Sequence, residues 1–168
     1  MNPEAKKYII RLHLEPHPEG GYFKETYRSG EIIRPEGLPK RFKKERAVST
    51  SIYFLLEGKQ VSNFHRIKSD EIWHFYEGCG VKIFTIDNSG LLSQYKLGKN
   101  FEKNEVFQVV VKNNNWFAAE LIDKKSFCLA GCTVSPGFDF EDFELAKRKE
   151  LTEAFPRHRE LIERFTNS

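Results

Sequence analysis

Across residues 47–134 the hydrophobic pattern has a period of two, or no period, and is cut into short runs. V-S-T-S-I-Y-F-L-L ends at the turn E-G-K-Q, V-K-I-F-T-I at D-N-S-G, L-L-S-Q-Y-K-L at Gly98 and V-F-Q-V-V-V before N-N-N. W-F-A-A-E-L and the run 127–134 follow. With turn residues about every 8 to 12 positions and no helical spacing between them, these runs predict about eight to ten antiparallel strands in a sandwich or closed barrel. The fold class is all-β, and a parallel α/β architecture is excluded.

Helical spacing appears only at the ends. Asn2 as cap, Pro3 at the first helical position, Glu4 in the first turn, and Ala5, Tyr8, Ile9 and Leu12 predict a short amphipathic helix. Two more helices are predicted over 149–155 and 157–165, with Pro156 at their junction and Leu161, Ile162 and Phe165 at helical spacing. The prolines and glycines of L-E-P-H-P-E-G-G require an irregular loop, and the nearby His13 and His17 read as structural. Residues 22–29 alternate, with Tyr22, Lys24, Thr26 and Arg28 on one face and Phe23, Glu25 and Tyr27 on the other. Charge on both faces puts this strand at an edge or beside a polar cavity. Residues 30–46, with Pro35, Gly37 and Pro39, read as a long surface loop of the kind that forms lids or partner contacts.

Chemistry concentrates in S-N-F-H-R-I-K-S-D-E-I-W-H-F-Y-E-G, residues 62–78. Asn63, His65 and Ile67 share one face of an extended segment, and Glu71, Trp73, Phe75 and Glu77 share one after the turn through Lys68, Ser69 and Asp70. The expectation is that His65 and Glu71 meet on the same side of a sheet, inside an aromatic wall. His74 points the other way and reads as a packing or interface histidine.

Composition narrows the partners. The 168 residues have the length of one domain, able to bury roughly 70% of its unfolded surface. A 39% hydrophobic content with 15 Phe is too apolar for disorder. The net charge is only +3, and the basic run 40–46 reads as a solvated face, so no nucleic-acid binding is predicted. Glu4, Lys6, Lys7 and Arg11 interrupt any signal-peptide core, and no apolar run is long enough for a membrane span. The expected compartment is the cytoplasm, with no membrane partner. Cys128 and Cys132 share a strand face about 13 Å apart, too far for a disulfide, and with Cys79 they read as unpaired thiols.

His65, five residues, Glu71, six residues and Gly78 resemble the first motif of the cupin superfamily, whose fold is a small antiparallel jelly-roll barrel. P-H-P-E-G-G-Y-F-K-E-T-Y-R-S, the 62–78 stretch and G-C-T-V-S-P-G-F-D-F-E-D-F-E-L are similar to one small cupin family of unknown function, described as predicted sugar epimerases and typically dimeric. The resemblance implies one domain over 1–168: a helix and lead-in at 1–15, a barrel at 20–145 and C-terminal helices at 146–166. It also implies a homodimer, through an edge strand or an outer sheet face. Two of the superfamily's usual metal-ligand positions hold Ile67 and Phe117 here, and K-N-N-N replaces the family's proline and glycine before Trp116.

The site is therefore expected to hold no metal and no cofactor; a metal would need a third ligand from Glu25, Gln108 or His74. Epimerisation beside a sugar carbonyl needs a base and a proton donor. His65, oriented by Glu71 or Asp70, is the candidate base, and Tyr22, Tyr27, Tyr53 and Tyr76 are candidate donors. Lys24 and Arg28 are candidates for holding a phosphate or carboxylate, against the alternative of a salt-bridged surface. Trp73, Phe75, Trp116 and Phe138 are candidates for the wall of the pocket, though each also suits an ordinary core. Pro136-Gly137-Phe138-Asp139 reads as a strand exit. The expected function is binding of a sugar- or nucleotide-like small molecule, with metal-independent epimerase or isomerase chemistry. The alternatives are a metal-dependent cupin enzyme of oxygenase or isomerase type and a non-catalytic ligand-binding protein.

Overall fold

The alternating runs form strands and the periodic ends form helices in the computed structural model, which describes residues 1–167. In chain order these are α1 (Pro3–Arg11), β1 (Glu15–Pro16), β2 (Tyr22–Arg28), β3 (Ile32–Ile33), β4 (Arg46–Ala47), β5 (Thr50–Glu57), β6 (Val61–Arg66), β7 (Asp70–Gly78), β8 (Val81–Ile86), β9 (Leu92–Leu97), β10 (Gln108–Val111), β11 (Trp116–Leu121), β12 (Phe127–Ser135), β13 (Glu144–Leu145), α2 (Arg148–Ala154) and α3 (Arg159–Arg164). Two antiparallel sheets face each other in a jelly roll. One runs β1-β2-β5-β12-β7-β10 and the other β13-β6-β11-β8-β9. No ladder joins the two sheets among the described residues, so the barrel is open along its seams.

The sheets meet over a core that includes Phe54, Trp73, Ile83, Phe117, Ala130 and Cys132. β12 shows why its sequence is apolar almost throughout. Cys128, Ala130 and Cys132 face this core, while Phe127 and Leu129 face Ala5 and Leu14 at α1 on the outside. A strand covered on both faces loses its alternation. The Asn2 side chain caps α1, accepting from the amides of Glu4 at 3.0 Å and Ala5 at 3.3 Å. α2 and α3 cover the other sheet through Leu151, Ile162 and Phe165, packed on Phe64, Phe84 and Trp116.

Residues 30–46 differ from the surface loop expected. Phe42 and Leu38 are buried, and β3 pairs with β4 to close the segment into a strap. Arg46 is no part of a solvated face: its side chain is 4% exposed and grips Asp142 through Nε and Nη2, both at 2.7 Å. A buried guanidinium needs such a partner, and the bidentate fork supplies it. The strap thereby holds the segment that follows β12 against the end of the sandwich.

Candidate functional site

At that end lies a cavity of about 250 Å³. Phe23, Phe54, Phe138, Phe140 and Phe143 give it an aromatic wall; His17, Glu19, His65 and Glu71 are its buried polar groups, and Glu25 and Arg28 stand at the exposed rim. The segment 136–143 forms one side. Phe138 donates its amide to Thr50 Oγ1 at 2.9 Å and accepts from Arg28 Nη2 at 3.0 Å, and Asp142 accepts from Arg46 and Lys68. The Pro136-Gly137-Phe138-Asp139 motif is thus more than a strand exit, because Phe138 and Asp139 both line the cavity.

His65 and Glu71 both reach the cavity, from opposite sheets rather than from one side of a single sheet. β6 carries His65 and β7 carries Glu71, and the chain crosses between the sheets in the intervening turn. The carboxylate on His65 is Glu19, whose Oε2 lies 2.9 Å from Nε2. Nδ1 of His65 lies 2.8 Å from the Asn63 carbonyl oxygen. Both ring nitrogens face acceptors, so the imidazole is held protonated and neither nitrogen is free to face a guest. Burial alone would lower the His65 pKa; the charge and hydrogen bond of Glu19, the charge of Glu71 and the Asn63 carbonyl reverse this to a net rise. Burial likewise pushes Glu19 up, but His65 and the Ser62 hydroxyl, 2.9 Å from Oε1, bring it below the usual carboxylate range.

Glu19 sits where the sequence requires glycine beside it. Gly20 has φ +110°, and a Cβ there would stand 2.2 Å from the Val61 carbonyl oxygen. That close approach lets the Glu19 carbonyl accept the Asn63 amide at 2.8 Å and brings the loop against β6. His17 is drawn in by the same turn, between Phe23 and Phe143. Neither residue stands out by spacing. The signal for them was the P-H-P-E-G-G motif itself, whose paired glycines mark a backbone forced close to something.

Glu71 has the opposite environment to Glu19. Burial drives its pKa up to about 7, with the Glu19 charge adding to the rise and His65 opposing it. The Cys132 thiol and the Trp73 indole N–H lie close enough to oppose the rise, although the buried indole makes no hydrogen bond of good geometry. A carboxyl that titrates near neutrality thus lines the same cavity as a carboxylate held below its ordinary range.

Several expected wall residues lie elsewhere. Along β7, Trp73 and Phe75 are two and four residues beyond Glu71, roughly 7 and 13 Å further into the packed interior, and neither lines the cavity. Trp116 faces the opposite side of its sheet, under the C-terminal helices, with the Arg66 guanidinium 4.5 Å above its ring. Lys24 is exposed, 3.9 Å from Glu15. A register shift between Glu25 and Tyr27 explains the difference between Lys24 and Arg28: the bulge reverses the alternation and turns Arg28 to the side of Phe23 and Glu25. Arg28 there holds Glu25 bidentately, at 3.0 and 2.7 Å. None of Tyr22, Tyr27, Tyr53 and Tyr76 lines the cavity, so the tyrosine proton donor is corrected. Tyr22 packs near α1, Tyr27 is exposed, and Tyr53 and Tyr76 meet each other 6.0 Å apart. His74 lies outside, bonded to Thr133 and Gln108. Asp70 is taken up by Asn113 and Lys112.

The donor set does not fit a four-ligand metal centre. Ile67 lines the cavity and Phe117 packs 4.0 Å from the His65 ring, placing hydrocarbon at two ligand positions, while Glu19 occupies Nε2 of His65. Among the described residues no group of three or more His, Cys, Asp or Glu side chains is arranged to hold a metal. Among the described residues no helix is long and apolar enough to cross a membrane.

The same architecture occurs in proteins of similar sequence. The crystal structure of protein SO0799 from Shewanella oneidensis superimposes with a TM-score of 0.87 at 34% identity, covering 99% of this chain and 98% of that one. A hypothetical protein from Leishmania major gives 0.86 at 30% identity over the full length of both chains. The uncharacterised protein YML079W of Saccharomyces cerevisiae is 33% identical over 158 residues, 88% of this chain and 78% of its own length. The model of the Cupin_5 family, described as Cupin superfamily (DUF985), matches residues 6–146, and the chain belongs to that family.

Proposed function

We propose that the protein binds a small, ring-shaped polar metabolite in this cavity and moves a proton on it, as an epimerase or isomerase acting next to a carbonyl. The observation that carries this reading is a pair of buried carboxyls at one cavity whose surroundings drive them apart, Glu19 below the usual carboxylate range and Glu71 up to about 7. Paired groups whose surroundings push their pKa values apart are the usual mark of an acid and a base. Glu19 takes the proton from the carbon beside the carbonyl, leaving an enolate. Glu71 gives its proton to the opposite face of that carbon, inverting it. The protonated Glu19 and ionised Glu71 that result exchange with water to reset the site. His65 acts through Glu19, keeping it ionised. Arg28 at the rim suits a phosphate or carboxylate carried by the guest, released from Glu25 as the anion arrives. The aromatic wall suits the faces of a sugar ring, and the volume of about 250 Å³ lies just below the roughly 300–1,000 Å³ of small-molecule pockets, as suits a small guest.

Incubation with nucleotide-linked keto-sugars in heavy water tests this. The expected result is deuterium at the carbon beside the carbonyl of at least one sugar, with the rate falling roughly 10²- to 10⁴-fold in Glu19→Gln and in Glu71→Gln. Tight binding of a sugar without exchange would make the protein a binding module instead.

A further inference from the structure

His17 has one ring nitrogen committed and the other free. The Glu19 backbone amide lies 3.3 Å from Nδ1 in hydrogen-bonding geometry. A backbone amide only donates, so Nδ1 must accept and the ring proton sits on Nε2. The 3.4 Å approach of Glu19 Oε2 to the same Nδ1 is therefore no ion pair. Burial, outweighing the Glu19 charge, lowers the His17 pKa and so agrees with a neutral ring. The side chain is 7% exposed, yet Nε2 has no protein partner among the described residues and is not sealed off as the Trp73 indole nitrogen is. His17 lines the cavity, and Phe23, Phe54, Phe140 and Phe143 surround its ring. An N–H that no protein group holds, on a side chain otherwise buried at a cavity, is open to a partner that arrives with the guest.

Resting on the proton-transfer reading above, we infer that His17 is a catalytic residue: its neutral imidazole donates Nε2–H to the carbonyl oxygen of the guest and holds the enolate oxygen that forms when Glu19 takes the neighbouring proton. A neutral donor suits this role because it stabilises the developing charge without itself surrendering a proton. It also names the substrate class, a carbonyl compound whose oxygen lies on the His17 side of the cavity. The tyrosines that the sequence offered as proton donors do not line the cavity.

Two variants and one labelling experiment decide it. His17→Phe keeps an aromatic ring in the box and removes the N–H, whereas His17→Gln places an amide N–H within reach of the Nε2 position. Loss of one such donor lowers turnover by about 10²- to 10³-fold, so His17→Phe is expected to lose that much kcat for the exchanging keto-sugar with KM little changed. His17→Gln is expected to recover at least about tenfold of it. Both variants alter the acceptor of the Glu19 amide, so a stability loss common to the two is separated from chemistry that differs between them. In wild-type protein carrying ¹⁵N-labelled histidine, His17 is expected as the neutral Nε2–H form at pH 7, with the Nε2 signal moving when a keto-sugar of the panel binds. Exchange that survives His17→Phe within threefold overturns the inference and leaves the proposed function standing. A His17 signal that moves on binding, without deuterium exchange, overturns the proton-transfer reading and keeps His17 as the group that recognises the carbonyl. An Nδ1–H or imidazolium form, or no shift at saturation, overturns the inference directly.

Discussion

Nε2 of His65 lies 2.9 Å from Oε2 of Glu19, while its Nδ1 lies 2.8 Å from the Asn63 carbonyl oxygen. The histidine is 2% exposed and Glu19 5%. An imidazolium clamped between two acceptors is a fixed charge, and its effect is to let a buried carboxylate stay ionised. Removing it leaves that carboxylate uncompensated, so His65→Ala is expected to cost roughly 3–5 kcal/mol of stability by urea unfolding at pH 6. The raised His65 pKa contributes stability fully below 6.5, lost as pH rises through the folded value. The lowered Glu19 pKa contributes above 4.5, lost as pH falls through the folded value. The gap between wild type and His65→Ala is therefore widest between pH 4.5 and 6.5. A loss below about 1 kcal/mol would mean that the pair is solvated.

Glu71 gives the opposite pH dependence. Its folded pKa of about 7 stands above the ordinary 4.5, so the folded protein holds a proton that the unfolded chain releases. Stability from this group falls as pH rises from 4.5 through 7, by about 3 kcal/mol at most. Glu71→Gln removes this slope, and the variant should be more stable than wild type at pH 8 and nearly equal at pH 4.5. Chemical unfolding midpoints at the two pH values measure it, and parallel curves for the two proteins would contradict the prediction.

Arg46 joins the strap to the segment beside the cavity, and Lys68 is the second cation on Asp142, at 3.0 Å. Arg46→Met leaves Asp142 with Lys68 alone, at an expected cost of roughly 2–4 kcal/mol. Amide exchange should rise at residues 138–143 more than in β12. Adding Asp142→Leu should recover part of the loss, since Lys68, about one-third exposed, can turn to water.

Gly20→Ala tests the loop that carries Glu19. A methyl group 2.2 Å from the Val61 carbonyl oxygen, at φ +110°, forces the loop off β6. The expected loss is roughly 2–4 kcal/mol, the scale of other severe backbone and packing changes. The tyrosine variants provide the contrast: Tyr53→Phe and Tyr76→Phe should leave deuterium exchange within twofold.

The reach of the sequence is clear at individual residues. Alternation in β5, β8 and β12 follows from the spacing of side chains on a strand, and the cap at Asn2 is a local hydrogen bond, so both were legible. Arg28 was placed on the face of Lys24 because alternation has no way to announce a bulge, and the shift between Glu25 and Tyr27 turned it inward. Phe138 was legible through its motif, while Trp116 was not. A large aromatic beside a turn suits either side of a sheet, and which side is covered depends on helices that come much later in the chain.

By itself the sequence determined the β-rich sandwich, the helices at its ends, the absence of histidine at two positions of the cupin motif and the presence of His65 and Glu71 near one turn. The strands and helices are consequences of periodicity and of short-range backbone chemistry, and the two missing histidines are read from the resemblance to the cupin motif. Only the tertiary structure decided that His65 is partnered by Glu19, 46 positions away in the chain, and that Glu71 faces them from the opposite sheet. The physical reason is that a carboxyl's charge state depends on what surrounds it in space. Glu19 and Glu71 are the same residue type, but Glu19 bonds His65 directly and is held below the usual carboxylate range, whereas at Glu71 burial outweighs the His65 charge and raises the pKa to about 7.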